Sequence, residues 1–194
     1  TNKVINGATD WVYEEEFGDD NGFFWSPDGQ QIAFYRFDES DVEEFTMTNY
    51  RDDLYPEYVT FKYPKVGKKN SEVSIHIYDL ASGETRQVAK TDAQWEYFPR
   101  IKWTNKSGQL CVFFMNRHQS ELELRLLNFA GKSRTLLSEK SDYYLDIHDN
   151  LAFLKNTDQF VWTSEKDGWN HAYLYNMDGN LAEQLTSGQW DITS

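Results

Sequence analysis

The chain has 194 residues, of which 32 are acidic and 19 basic, so its net charge is −13. This charge argues against binding to nucleic acid, which requires a basic face, and against binding to an anionic membrane surface. Aromatic residues make up 16% of the sequence, which is typical of a globular domain with a sizeable core. The single cysteine excludes an intrachain disulfide, and no apolar run reaches the ~18 residues of a membrane-spanning helix.

The run at residues 10–16, Asp-Trp-Val-Tyr-Glu-Glu-Glu, places three carboxylates next to one another. In an extended segment these glutamates would alternate between faces, whereas in a helical turn two of them could converge. In both cases the carboxylates repel one another, and a bound cation would offset the repulsion. A peptide α-ammonium is well suited, because it combines a positive charge with three N–H donors. The alternative is a solvated acidic turn without a ligand.

A turn follows at residues 25–29, Trp-Ser-Pro-Asp-Gly, and the apolar stretch 32–37 after it predicts a strand. Residues 38–72 separate this strand from the next apolar segment. An insertion of this length at the edge of a sheet predicts a long surface hairpin. Residues with a function, such as binding residues, are often found in such insertions.

The rest of the chain repeats with a period of 48 residues or close to it. Each repeat has an apolar strand, a polar turn with a glycine and a second strand. The turn glycines are Gly83, Gly131 and Gly179. Aromatic markers with the same period are Trp95, Tyr143 and Trp190. A period of ~40–50 residues with strand patterning is typical of β-propeller blades. We expect Trp95 and Trp190 to lie in blade cores.

The repeat predicts two sets of four strands. They lie near 98–103, 109–116, 122–128 and 134–137, and near 151–155, 159–164, 171–176 and 182–185. The predicted fold class is all-β: a partial β-propeller of about three four-stranded antiparallel blades, with a long hairpin insertion in the first. A closed propeller needs at least ~4 blades, so the chain is expected to form an arc.

Three segments carry a resemblance to a known family. They read NGATDWVYEEEF, FFWSPDGQQIAFYRFDESDV and LYPEYVTFKYPKVGKKNSEVSIHIYDL. In order and spacing they resemble the N-terminal β-propeller domain of the dipeptidyl peptidase IV family of serine exopeptidases. The resemblance implies that Glu15 and Glu16 bind the free amino terminus of a peptide substrate. We expect Tyr13 and Glu14 to support this site, and Trp11 and Tyr13 to pack against the rest of the domain and position the glutamates.

The resemblance also implies how the chain is organised, as a fragment of a propeller domain covering residues 1–194 without the hydrolase domain. The expected parts are 1–22, the end of a preceding blade with the glutamate motif; 23–90, a blade with the insertion 38–72; 95–138 and 143–186, two further blades; and 187–194, the start of the next.

The implied parent protein is a serine-type dipeptidyl aminopeptidase that removes X-Pro or X-Ala dipeptides from amino termini. It would be periplasmic or extracellular and of bacterial origin. Its C-terminal α/β-hydrolase domain would belong to the same chain, and a second copy would bind through the insertion around residues 43–69. Two alternatives remain open: a non-enzymatic propeller that acts as a scaffold for protein–protein binding, and the propeller of a prolyl tripeptidyl aminopeptidase.

Catalytic residues are not expected in this chain. It contains no Gly-x-Ser-x-Gly elbow, so it lacks the Ser-Asp-His triad and should be inactive alone. It has no His-Glu-x-x-His motif and no paired Cys-x-x-Cys motif, so no metal and no cofactor are predicted. His76 and His171 are expected to be structural, and Cys111 to be a buried, unreactive thiol.

Overall fold

The structure, a computed structural model, describes residues 3–51 and 54–193. Residues 1–2, 52–53 and 194, which fall in the predicted ranges 1–22, 38–72 and 187–194, lie outside the described part. The elements in chain order are β1 (Val4–Asn6), α1 (Trp11–Phe17), β2 (Phe23–Trp25), β3 (Gln31–Asp38), β4 (Glu44–Asn49), β5 (Glu57–Lys62), β6 (Glu72–Asp79), β7 (Thr85–Lys90), β8 (Ile101–Trp103), β9 (Gln109–Met115), β10 (Glu121–Asn128), β11 (Ser133–Lys140), β12 (Ala152–Phe153), β13 (Gln159–Ser164), β14 (His171–Asn176) and β15 (Leu181–Gln184).

The strands form three antiparallel sheets and one separate hairpin. The first sheet has the order β1-β3-β6-β7, with β2 also paired to β3. The second and third sheets each have four strands in sequence order, β8 to β11 and β12 to β15, and β4 pairs with β5. The prediction of an all-β partial propeller with about three blades and a hairpin insertion is confirmed.

Strand β3 illustrates why these segments form sheets. Ala33, Tyr35 and Phe37 are fully buried, whereas Phe34 and Arg36 between them are partly exposed. This alternation with period two turns one row of side chains into the core. One hydrophobic cluster runs through all three sheets, and the rings of Phe113 and Trp162 join the second sheet to the third at a centroid distance of 5.6 Å.

The repeating glycines mark the same turn in each sheet. Gly83, Gly131 and Gly179 connect the last two strands of the first, second and third sheet, and all three have positive φ values. At Gly179 the space is also restricted, because a Cβ atom would lie 2.3 Å from the carbonyl oxygen of Leu136 in β11. This turn therefore packs against the backbone of the preceding sheet.

The amino-terminal segment differs from its predicted place. It was expected to end a preceding blade, but β1 pairs with β3 inside the first sheet. Strand β2 pairs with the same edge of β3 further along. Between them, Tyr35 accepts a hydrogen bond from the N–H of Gly7 and donates its own N–H to the carbonyl of Gly22. A Cβ atom on Gly22 would lie 2.4 Å from the carbonyl carbon of Gly7, so the two backbones pack closely together. Residues 8–21 therefore leave the edge of the sheet and rejoin it at nearly the same point.

The first strands of the three sheets lie side by side. The indole N–H of Trp103 in β8 donates to the carbonyl of Phe24 in β2 at 2.9 Å. The ammonium of Lys102 donates to the carbonyl of Leu151, just before β12, at 2.6 Å. Because α1 interrupts the first strand of its sheet, the helix emerges at the edge where the sheets converge.

Two sequence markers behave differently in the structure. Trp95 is buried as predicted, but Trp190 is 48% exposed, so the prediction of a core position for Trp190 is wrong. Its ring contacts the edge of His171 at 5.1 Å. Because β15 is the last strand in the described part of the chain, no following strand there covers the indole.

Candidate functional site

The acidic run forms a short helix with defined caps, which settles the choice between an extended and a helical conformation. Asp10 is the N-cap, and its Oδ1 accepts the N–H of Tyr13 at 3.0 Å. Its other oxygen, Oδ2, accepts the hydroxyl of Ser71 at 2.6 Å. Burial raises the pKa of the Asp10 carboxyl, while these hydrogen bonds act in the opposite direction. At the other end Gly18 adopts the left-handed conformation of a C-cap.

One face of α1 is fixed to the core through Tyr13. Its ring is 1% exposed and packs edge-on against Phe37 at 4.8 Å. Its hydroxyl accepts the backbone N–H of Phe98, which precedes the second sheet, at 2.7 Å. Trp11 contacts the ring of Tyr63, beyond the insertion hairpin, at 4.3 Å. The helix is therefore held by both the first and the second sheet and also touches the insertion.

The opposite face carries Glu14, Glu15 and Glu16, all exposed. None of the ion pairs between described residues includes these three glutamates. Among the described residues the Glu16 side chain has one hydrogen-bond partner, the side-chain amide of Gln119, which donates to Oε1 at 2.6 Å. The acidic face thus presents its charge to solvent, and no described basic side chain forms an ion pair with it.

The three glutamates do not share one environment. Glu14 lines a cavity of about 410 Å³ between α1 and the insertion, together with Trp11, Glu44 and Lys62. Glu16 faces the turn of the second sheet that carries Gln119, and its charge contributes, after burial, to the raised pKa of Tyr144, which follows β11. The structure therefore separates Glu14 from Glu16, and Glu15 lies between them on the helix, where its side chain has no hydrogen bond to a described residue.

The carboxyl end of α1 is bound by Arg100, which the sequence did not point to. Its guanidinium donates to the carbonyl of Phe17 at 2.8 Å and to Oδ1 of Asp149 at 2.7 Å. A cation at this end stabilises the helix dipole. Arg100 also holds the pKa of the Asp149 carboxyl below its usual value. Helix α1, the second sheet and the loop before β12 are joined by this one side chain.

Gln119 is a second residue that the sequence did not indicate. It lies in the turn between β9 and β10, 103 residues from its partner Glu16, and has a φ of 53°. Its Oε1 atom is enclosed and has no hydrogen-bond donor among the described residues. The local letters around Gln119 read as an ordinary polar turn, so only the folded structure reveals this contact.

The other titratable groups considered from the sequence have structural positions. His171 is fully buried, and its two ring nitrogens contact the hydroxyl of Thr186 and the carbonyl of Gly188. His76 stacks on Phe34, and burial lowers its pKa. Cys111 is buried, which raises the pKa of its thiol. In residues 3–51 and 54–193 there is no cluster suited to a metal ion and no helix long and apolar enough to cross a membrane.

Fold and site together define the class of the protein: a propeller-type arc of antiparallel sheets that displays a firmly anchored acidic helix at the convergent edge of its blades. Over residues 1–194 the chain matches the family described as the dipeptidyl peptidase IV (DPP IV) N-terminal region. The chain therefore belongs to the dipeptidyl peptidase IV family, as part of that N-terminal region.

Individual relatives agree with this assignment. A dipeptidyl peptidase 4 from Arthroderma otae is 32% identical over 206 residues, and one from Trichophyton rubrum is 30% identical over 211, each matching 98% of this chain. The crystal structure of Porphyromonas gingivalis dipeptidyl peptidase 4 superposes with a TM-score of 0.90 and is 43% identical, covering 99% of this chain. The chain spans 26% of the length of the two fungal relatives and 28% of the P. gingivalis chain.

Proposed function

We propose that this chain is the substrate-gating propeller of a dipeptidyl aminopeptidase that removes X-Pro and X-Ala dipeptides. In this proposal Glu15 and Glu16 anchor the α-ammonium of the substrate. The observation that carries it is the acidic face of α1, whose glutamates form no ion pair with a described residue although the helix itself is fixed by Tyr13 and Arg100. A rigid support for exposed carboxylates is what binding a small cation requires.

The chemistry follows from the fixed position of the carboxylates. A hydrolase domain cleaves at a set distance from the point where the amino terminus is held, so the glutamate pair acts as a ruler for peptide length. A blocked amino terminus offers no ammonium to the carboxylates, and a longer one does not fit the set distance, so both should be poor substrates. Because the interaction also orients the substrate, its loss lowers the rate as well as the affinity.

The remaining machinery belongs to the rest of the parent protein. A C-terminal α/β-hydrolase domain of the same chain supplies the Ser-Asp-His triad, and the present chain alone is inactive. The parent acts in the periplasm or outside the cell. The names of the relatives, all dipeptidyl peptidase 4, support a peptidase parent.

The insertion hairpin is part of the same proposal as a contact between two copies of the protein. The hairpin of β4 and β5, with the residue after β4, exposes a set of apolar side chains: Met47, Tyr50, Tyr58 and Val59. Exposed apolar clusters of this kind are typical of association surfaces. Sedimentation of the full-length protein checks it, since Tyr58→Ser with Val59→Ser should convert a dimer into a monomer.

The test uses the full-length protein with Glu15→Gln and Glu16→Gln beside wild type, and Glu183→Gln on exposed β15 as a matched control. Each is assayed on an X-Pro chromogenic substrate with a free and with an acetylated amino terminus. We expect wild type and control to cleave only the free form and both site variants to lose most of that activity. Equal cleavage of both forms by wild type, or unaffected variants, would overturn the ammonium-anchoring role.

Product analysis separates the two alternatives. Release of tripeptides by the same glutamate-dependent protein favours a prolyl tripeptidyl aminopeptidase. A full-length protein without a Gly-x-Ser-x-Gly elbow and without hydrolysis favours a scaffold.

A further inference from the structure

We infer that Gln119 is the positioning residue of the Glu16 carboxylate: a neutral donor from the second sheet that orients this carboxylate while leaving its charge for the substrate. The inference rests on the proposed function of the glutamate pair. Its structural basis is the 2.6 Å hydrogen bond from Nε2 of Gln119 to Oε1 of Glu16, the one hydrogen bond that fixes a glutamate side chain of α1 to another part of the described chain.

The turn that carries Gln119 is fixed on both sides. The N–H of Gln119 donates to the carbonyl of Asn116 at 3.0 Å, and its carbonyl accepts the N–H of Leu145 at 2.8 Å. The side-chain Oδ1 of Asn116 also accepts the N–H groups of Ser120 and Glu121. The amide of Gln119 is therefore presented from a backbone that has little freedom to move.

The conformation of Gln119 is a strained one for a residue with a side chain. A φ of 53° lies in the left-handed region, which is unfavourable for a residue with a Cβ atom. Glycine would adopt it without this strain. The turn nevertheless carries a glutamine, and its amide reaches Glu16. Strain of this kind is found where the surrounding structure needs a particular side chain in place.

The orientation of the amide is also determined. An ionised carboxylate only accepts hydrogen bonds, so the NH₂ group of Gln119 must face Glu16. Oε1 then points to an enclosed position where no described donor meets it. Reversing the amide would place Oε1 against the Glu16 carboxylate, where two acceptors would face each other. The contact is thus kept at the expense of one unpaired buried oxygen.

A neutral donor is suited to this task because it leaves the charge of Glu16 available. A lysine or arginine in its place would form an ion pair with Glu16 and compete with the substrate ammonium. Arg117, the arginine of the same turn, is directed elsewhere, to Oε1 of Glu96 at 2.8 Å and to the carbonyl of Lys68 at 2.8 Å. The turn therefore supplies an amide to Glu16, while the guanidinium of Arg117 binds other partners.

The experiment uses full-length protein with Gln119→Asn and Gln119→Gly, two residues that tolerate a positive φ. Asparagine is one methylene too short to keep the contact, and glycine removes the amide while relieving strain. We expect kcat/KM for a free-amine X-Pro substrate to fall roughly tenfold in both, the scale of one hydrogen bond to a charged group. The melting temperature should be unchanged or higher for Gln119→Gly. Wild-type kcat/KM in these variants would overturn the inference.

Two further measurements distinguish positioning from a general effect. On a Glu16→Gln background, Gln119→Asn should lower kcat/KM by less than twofold, because the coupled partner is already changed. Gln119→Lys keeps a donor but neutralises Glu16, so we expect KM to rise above that of Gln119→Asn. Full activity of this variant would refute the need for a neutral donor.

The failure of the inference can be told apart from the failure of the proposed function. If wild type cleaves free and acetylated substrates alike, the proposed function fails. If wild type cleaves only the free substrate and the Gln119 variants keep the wild-type kcat/KM, the proposed function stands and only the inference about Gln119 fails.

Discussion

Tyr13 and Phe98 are joined across 85 residues of sequence by a buried hydrogen bond, in which the Tyr13 hydroxyl accepts the N–H of Phe98 at 2.7 Å. The carbonyl of Phe98 accepts a second tyrosine hydroxyl, that of Tyr35, at 2.9 Å. Both backbone groups of this loop residue are therefore satisfied by side chains from the first sheet and α1. This arrangement fixes the distance between the acidic helix and the second sheet, where Gln119 lies.

Removing the Tyr13 hydroxyl tests this arrangement. In Tyr13→Phe the ring packing is kept, but the N–H of Phe98 loses its partner in a buried position, which should lower the free energy of unfolding by about 1–3 kcal/mol. Chemical denaturation of the full-length protein, followed by tryptophan fluorescence, measures the change. Tyr143→Phe is the matched control, since Tyr143 is 90% exposed and should stay within about 0.5 kcal/mol. Equal midpoints for both variants would contradict the prediction.

The N-cap of α1 gives a second prediction, which depends on pH. Asp10→Ala should lower stability by about 0.5–2 kcal/mol, because the N–H of Tyr13 and the hydroxyl of Ser71 lose their acceptor. Asp10→Asn keeps an acceptor for Tyr13 and should have a smaller effect.

The pH dependence of the same site follows from the pKa of Asp10, which burial raises above the ordinary value of 3.8. The folded state then binds the proton more tightly than the unfolded state, so stability falls as the pH rises from 3.8 through the raised pKa. Thermal melts of wild type and Asp10→Asn across this window should show wild type losing stability relative to the variant. A constant difference would mean that Asp10 has an ordinary pKa.

The fold was predictable because its signals are local and repeated. Alternating apolar residues identify strands such as β3, and the spacing of Gly83, Gly131 and Gly179 identifies the repeat. The sequence also shows the acidic run, but it does not decide between a helical and an extended conformation. The cap residue Asp10 also accepts the hydroxyl of Ser71, a contact 61 residues away that the local sequence does not reveal.

The parts that could not be predicted depend on distant contacts. Nothing in the letters around Gln119 or Arg100 indicates that one binds Glu16 and the other the carbonyl of Phe17. The place of β1 was missed for a similar reason, since residues 8–21 form an excursion from within one strand. The prediction that Trp190 is buried is wrong because the repeat predicts only where a residue lies within a blade. Burial also requires a neighbouring element that covers the side chain.

The contact between the third sheet and the second gives a third prediction, for which the repeat supplies its own control. Gly83→Ala should cost about 1 kcal/mol, because Gly83 has positive φ but no atom within 4 Å of an added Cβ. Gly179→Ala meets the same strain and also brings Cβ to 2.3 Å from the carbonyl oxygen of Leu136. We expect a loss of roughly 2–4 kcal/mol by denaturant titration. Equal losses for the two variants would exclude the collision.

The contact between the first and second sheets gives a fourth prediction, again through pH. Asp28 accepts hydrogen bonds from the hydroxyls of Ser107 and Ser26, which lower its pKa from 3.8 to about 2. Since the pKa is depressed in the folded state, the stabilisation is present above pH 3.8 and is lost as the pH falls through about 2.

Asp28→Asn and Ser107→Ala test this link from its two sides. In denaturant titrations from neutral pH downward, wild type should be more stable than either variant at neutral pH, and the difference should shrink as Asp28 becomes protonated. Gln30 also donates its backbone N–H to Asp28, so Ser107→Ala should remove only part of the effect, whereas Asp28→Asn removes its pH dependence altogether. If the difference in stability between wild type and the variants does not change with pH, the pKa of Asp28 is not depressed. The turns that carry Asp28 and Ser107 would then be in contact without being coupled by the charge of Asp28.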